Sequence, residues 1–215
     1  AVIDPAFAGN DTSVCLGSGA LVLVGTPVGG SWSGPSVTPG GILNTNVAGS
    51  YTLTYSVGSA TCLLQDQITV AVEALPVVDA GSDISVCEEG GIQVLVATPS
   101  GGTWSGIGVD PVSGEFDPLQ ALPGGNPVSY SYVDPLTGCS NSDNALVTVN
   151  PMPVAGFTHA AVACANVPFQ FMNTSLNYGG SEWDFDDGGV SLADSPFHIF
   201  TTTGPFDVTL VVNTG

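Results

Sequence analysis

Lysine and arginine are absent from all 215 residues, while Asp and Glu number 19 and set a formal net charge of −19. Phosphate backbones are held by Lys and Arg, so nucleic acid is ruled against as a partner. Docking to an anionic lipid surface is disfavoured for the same reason. No Lys or Arg salt bridge can form, so the carboxylates must be solvated, accept hydrogen bonds, or bind cations. A trypsin-like protease has no site to cut. No apolar run has the length of a membrane span, and the opening Ala1-Val2-Ile3-Asp4-Pro5 lacks the basic stretch of a signal peptide. No segment sustains a 3.6-residue apolar period. A G-x-S-x-G elbow, a phosphate loop and a C-x2-C zinc pair are missing too.

What is present is said twice. Ala8-Gly9-Asn10-Asp11-Thr12-Ser13-Val14-Cys15 returns as Ala80-Gly81-Ser82-Asp83-Ile84-Ser85-Val86-Cys87, and Gly29-Gly30-Ser31-Trp32-Ser33-Gly34 returns as Gly101-Gly102-Thr103-Trp104-Ser105-Gly106. Both matches have an offset of 72 (80 − 8, 101 − 29). Such a period signals an array of small units. The expected partition is 1–74, 75–151 and 152–215. Glycine (29) and proline (16) suit short strands joined by turns. Tyr51, Leu53, Tyr55 and Val57 alternate with Thr52, Thr54 and Ser56, and Val128-Ser129-Tyr130-Ser131-Tyr132 is their counterpart. Leu21-Val22-Leu23-Val24 and Ile92-Gln93-Val94-Leu95-Val96 are expected as core strands. Ile68–Val72 and Ala145–Val149 close the two units, and 206–212 closes the third. The class is all-β: a tandem array of three Ig-like sandwiches. The joints Val72-Glu73-Ala74-Leu75-Pro76-Val77 and Val149-Asn150-Pro151-Met152-Pro153-Val154 also match, and their prolines favour stiff, rod-like connections.

The cysteines are Cys15, Cys62, Cys87, Cys139 and Cys164. Separations of 47 (62 − 15) and 52 (139 − 87) recur in the two copies. The extra five residues are expected around Pro123-Gly124-Gly125-Asn126. Equal placement points to disulfides within each unit, Cys15–Cys62 and Cys87–Cys139, each closing a loop of about 50 residues and contributing about 4 kcal/mol. Disulfides imply an oxidising compartment, hence export. Cys164 is left over, and the expectation is a partner shortly beyond Gly215.

Glu182-Trp183-Asp184-Phe185-Asp186-Asp187-Gly188-Gly189, with Pro196-Phe197-His198-Ile199-Phe200 and Gly204-Pro205-Phe206-Asp207-Val208-Thr209-Leu210, resembles a PKD domain. Asp186 stands where that family has Gly, and Phe200 and Phe206 where it has Tyr. The first two units resemble the Ig-like repeats of giant secreted surface proteins of Bacteroidetes-type bacteria. Gly138-Cys139-Ser140-Asn141-Ser142-Asp143 fits their final turn, whereas Ala60-Thr61-Cys62-Leu63 fits at the cysteine alone. The resemblance implies a very long adhesin of the gliding-motility kind at the bacterial cell surface. It also implies that neither family is catalytic.

Trp32, Trp104 and Trp183 are weighed as sugar-stacking platforms against core aromatics; recurrence at one motif position favours the core. Glu182, Asp184, Asp186 and Asp187 are weighed as a hydrolytic carboxylate pair, but the PKD likeness makes them turn residues. A structural calcium ion on Asp184, Asp186 and Asp187, or on Asp79, Asp83 and Glu73 at the joint, is a third option. His198 is expected to be a hydrogen-bonded structural residue and His159 to be exposed. The expected protein is a non-enzymatic extracellular stalk or filament segment without resident cofactor, calcium aside. Its expected partners are flanking repeats of the same polypeptide, other copies in a fibre, and glycans or surface proteins. A carbohydrate- or protein-binding module and an accessory region of a secreted hydrolase are the alternatives.

Overall fold

A computed structural model of the chain describes residues 4–59, 62–162 and 164–214. Ala1–Ile3, Ala60, Thr61 and Gly215, named above, lie outside the described residues. The chain is a tandem array of three Ig-like β-sandwiches.

The first unit holds β1 (Thr12–Cys15), β2 (Leu21–Val22), β3 (Ser31–Ser33), β4 (Ile42–Leu43), β5 (Gly49–Ser59) and β6 (Cys62–Glu73). One sheet has the order β1-β6-β5-β3, and β2 pairs with β4 in the other. The second unit repeats this with β7 (Ile84–Cys87), β8 (Gln93–Val94), β9 (Thr103–Ser105), β10 (Glu115–Phe116), β11 (Gly124–Val133) and β12 (Ser140–Asn150). Its sheets run β7-β12-β11-β9 and β10-β8. The third has β13 (Phe157–His159), β14 (Phe169–Asn173), β15 (Gly180–Asp184), β16 (Val190–Ser191), β17 (Phe197–His198) and β18 (Thr209–Asn213), in sheets β13-β14-β17 and β16-β15-β18.

The strands form where alternation lets one face meet the core. On β5, Tyr51, Leu53 and Tyr55 are buried, and on β6 so are Ile68, Val70 and Val72. Val128, Tyr130, Ala145, Val147 and Val149 repeat this in the second unit. Each Trp strand lies beside a Tyr strand. Trp32 is registered with Tyr55 and Trp104 with Tyr130, their ring centroids 5.1 and 4.9 Å apart. Trp183 faces Leu210 in the same manner, which makes β18 the counterpart of β5 and β11. Those two lie inside their sheets, whereas β18 lies at an edge.

Three local expectations are corrected. The valine-rich runs are one-sided: Val22, Val24, Ile92, Val94 and Val96 face solvent, while Leu23 alone of the first run is deeply buried. Two-stranded sheets as short as β2-β4 and β8-β10 cover the core with one side chain in two. The strand expected over 206–212 begins at Thr209, after Phe206 and Val208. The five extra residues of the second unit are also spread out. Gly114 sits on the Trp104 indole as Gly41 sits on Trp32, an offset of 73; Tyr130 matches Tyr55 at 75, and Cys139 matches Cys62 at 77. One residue enters before Gly114, two around the 3-10 turn Pro118–Gln120 and two in the β11–β12 hairpin tip.

Candidate functional site

The strand directions decide what the cysteines can do. β1 runs parallel to β6, and its last residue, Cys15, is registered with Glu73. Cys62 opens β6 at the opposite end, registered with Ser59. Eleven strand steps (73 − 62) of about 3.3 Å place the two ends about 36 Å apart. A disulfide needs Cα atoms within about 7 Å, so the expected Cys15–Cys62 bond cannot form. Cys87 is registered with Asn150 and Cys139 directly precedes β12, giving the same eleven steps (150 − 139) and the same veto on Cys87–Cys139.

The bond is made across the joint instead. Cys15 is joined to Cys139 with a Cα–Cα distance of 5.6 Å, across a sequence separation of 124. Its geometry follows from chain direction. β1 and β6 both end where the chain leaves for the second unit, and the β11–β12 hairpin points its tip back at that end. Asn141 Nδ2 donates to Pro76 O of the connector at 2.9 Å. The tip is a tight turn: Gly138 N donates to Asp134 O, Asp134 N to Cys139 O, Leu136 N to Asp134 Oδ1, and Cys139 N to Thr137 Oγ1. Cys139 is 1% exposed. Cys62, Cys87 and Cys164 are exposed free thiols.

Carboxylates brace each unit in the absence of cations. Asp66 accepts from Ala8 N and Asp11 from Thr69 N; Asp143 accepts from Ala80 N and Asp83 from Leu146 N. The Ala80 amide, with that of Asn144, holds the Asp143 carboxyl below the usual aspartate range. Asp79 accepts from Gly81 N at the joint, and Glu73 offers its backbone carbonyl to Leu16 N. In the third unit Asp184 Oδ1 accepts from Asp186 N and Asp186 Oδ2 from Asp207 N. Asp187 Oδ1 accepts from Gly189 N, and its Oδ2 pairs with His198 Nε2 at 2.7 Å. His198, first, and Gly189 lower the Asp187 pKa. Glu182 on β15 faces Val211. Among the described residues no three His, Cys, Asp or Glu side chains stand close enough together to hold a metal ion.

Trp32, Trp104 and Trp183 are buried, and the Trp183 indole donates to Ala193 O at 3.0 Å. His159 is exposed. It lines an open cleft of about 570 Å³ with Phe157, Phe169, Phe200, Phe206 and Cys164. Sequence reasoning missed the tyrosine clasps. Tyr55 Oη donates to Pro27 O and accepts from Gly30 N; Tyr130 Oη donates to Pro99 O and accepts from Gly102 N. The available signal was a Tyr on the alternating strand behind each Gly-Gly-x-Trp block, 23 residues past Trp32 (55 − 32) and 26 past Trp104 (130 − 104).

Residues 148–215 match the PKD domain family. The PKD module so identified contains the Asp184–Asp187 turn, His198 and the cleft. No curated protein matches the chain. Among solved structures, the eight N-terminal Ig domains of the Down syndrome cell adhesion molecule align at 12% identity and a TM-score of 0.41, over 98% of this chain and 42% of that one. The chain thus spans about two-fifths of that structure's length. A three-Ig fragment of titin aligns at 14% identity and a TM-score of 0.40, covering 99% and 89%. A SusE-like surface-located polysaccharide binding protein from the heparin utilisation locus of Bacteroides thetaiotaomicron aligns at 10% and 0.35, covering 84% and 42%. Ig-like and PKD modules of this kind are typical of adhesion proteins and extracellular structural proteins. Among the described residues no helix is long and apolar enough to cross a membrane.

Proposed function

We propose that the chain is a non-enzymatic stalk segment of a long adhesin at a bacterial cell surface, built to hold a distal binding region away from its anchor. The observation that carries this reading is the Cys15–Cys139 bond, which fixes one unit to the next instead of stapling a unit to itself. A covalent brace across a joint serves extension and orientation. Catalysis needs a convergent constellation, and the carboxylates here accept backbone amides of their own unit, Asp184 and Asp187 within their own turn and Asp143 from Ala80. An oxidising exterior keeps the brace closed, and the lack of Lys and Arg removes every tryptic site. Partners on this reading are the neighbouring units of the same polypeptide.

Small-angle scattering of the oxidised chain tests it. A compact globule of this length has a radius of gyration of about 17 Å. Three units in series, the first two set by strands of about 36 Å, give about 30 Å. A value near the former overturns the stalk.

A second reading, a glycan- or protein-binding module, is favoured by the phenylalanine-lined cleft of the third unit. Saturable binding on a glycan array, lost on Phe206→Ala, would support it.

A further inference from the structure

Cys62 and Cys139 are the same residue of the repeat. Tyr55 is registered with Asp66 and Tyr130 with Asp143, and both carboxylates accept the amide of an alanine at the head of their unit. Cys62 lies four residues before Asp66 and Cys139 four before Asp143. Across the ladder Cys62 faces Ser59, four past Tyr55, and Cys139 accepts from the amide of Asp134, four past Tyr130. One member of this pair is bonded to the strand-end cysteine of the unit before it. The other presents an exposed thiol at the outer end of the first unit.

That outer end is built like a joint. Phe7 exchanges both backbone hydrogen bonds with Thr26, and Asp79 does so with Thr98. Ala6 packs on the first core as Val78 packs on the second. Residues 4–6 therefore occupy the place that 76–78 occupy in the connector.

We infer that Cys62 is the attachment point for a further unit of this repeat, placed ahead of the first unit in the same polypeptide, whose strand-end cysteine it bonds as Cys139 bonds Cys15. The inference rests on the stalk reading and specifies its partner. Cys87 and Cys164 are not that partner, since Cys87 lies at the far end of the second unit and Cys164 in the third. The oxidant is a protein or glutathione disulfide. The Cys62 thiolate attacks it and expels one donor thiolate. The partner cysteine's thiolate then attacks Cys62 Sγ in the mixed disulfide and expels the second. Two cysteine thiols lose two protons and two electrons, and the donor leaves as two thiols, on one protein or on two glutathiones.

Peptide mapping without reduction, on the full polypeptide from its native producer alkylated in denaturant, is the test. The expected result is Cys62 cross-linked to a cysteine peptide encoded upstream of Ala1, with Cys62 alkylation lost. Recovery of Cys62 as an alkylated thiol, bonded to Cys87 or Cys164, or bonded between two copies, overturns it. A Cys15 not bonded to Cys139 in the same map overturns the stalk reading instead. A second measurement uses this chain with its residues 1–73 duplicated and joined to Val2, oxidised with glutathione disulfide. The added Cys15 should bond Cys62, and Cys62→Ser should remove that bond and spare Cys15–Cys139. A folded duplicate that leaves Cys62 as reactive as Cys164 overturns the inference.

Discussion

His198 Nε2 stands 2.7 Å from Asp187 Oδ2 while its ring lies flat on Phe185, the centroids 4.0 Å apart and the planes 6° from parallel. The imidazole thus ties the Asp184–Asp187 turn to β17 and roofs the aromatic core beneath it. The Asp187 pKa is lowered below 3.8, so its contribution to stability is fully present above the ordinary aspartate value. It fades as pH falls through the lowered value. The melting temperature of the PKD module should hold from neutral pH down to about 4 and then drop as this carboxyl protonates. Asp187→Asn should flatten the acid limb and lower the plateau, as read by fluorescence melts of Trp183 in a Trp32→Phe, Trp104→Phe background.

Breaking the inter-unit bond should uncouple two units. Cys15→Ser frees a loop whose ends are 124 residues apart, and loops of that size are worth about 5 kcal/mol in the chain-entropy model. Calorimetry should show the first and second units melting together in the oxidised chain and apart in the variant. Cys87→Ser, changing an exposed free thiol, should leave the trace unchanged.

The tyrosine clasps should be costly to open. Tyr130→Phe leaves Pro99 O and Gly102 N without their partner at a site where the ring is 3% exposed, a loss of about 2 kcal/mol from the second unit. Tyr55→Phe should match it in the first. Denaturant unfolding followed by Trp104 or Trp32 emission measures both. Gly102→Ala should be worse, since its Cβ would stand 2.6 Å from Tyr130 Cζ.

Calcium should leave the fold unmoved. Asp79, Asp83, Asp184, Asp186 and Asp187 each accept a backbone amide of their own module and do not converge. Melting curves in EDTA and in millimolar calcium should superimpose; a ligand held only by the native state would raise the midpoint.

The sandwich was legible because alternation and turn chemistry are local. Tyr51, Leu53 and Tyr55 point inward as their period demands, and the repeated Gly-Gly-x-Trp block marks one strand in each copy. The disulfide was not legible, because spacing identifies equivalent residues but says nothing about which end of a sheet they occupy. That depends on β1 lying parallel to β6, a non-local choice that puts Cys15 beside Glu73. The valine runs misled for a related reason. Val22 and Val94 look like core from composition, yet they lie on the outer side of two-stranded sheets.

The bond between Cys15 and Cys139 also reroutes tension. A pull applied at the two chain ends passes from β1 through sulfur into the start of β12, and the backbone between the two cysteines carries none of it. At about 3.5 Å per residue, about 430 Å of contour is locked away until a reductant reaches the joint. While oxidised, the first two units stretch little under such a pull, and they pay out a long slack when their sulfurs part.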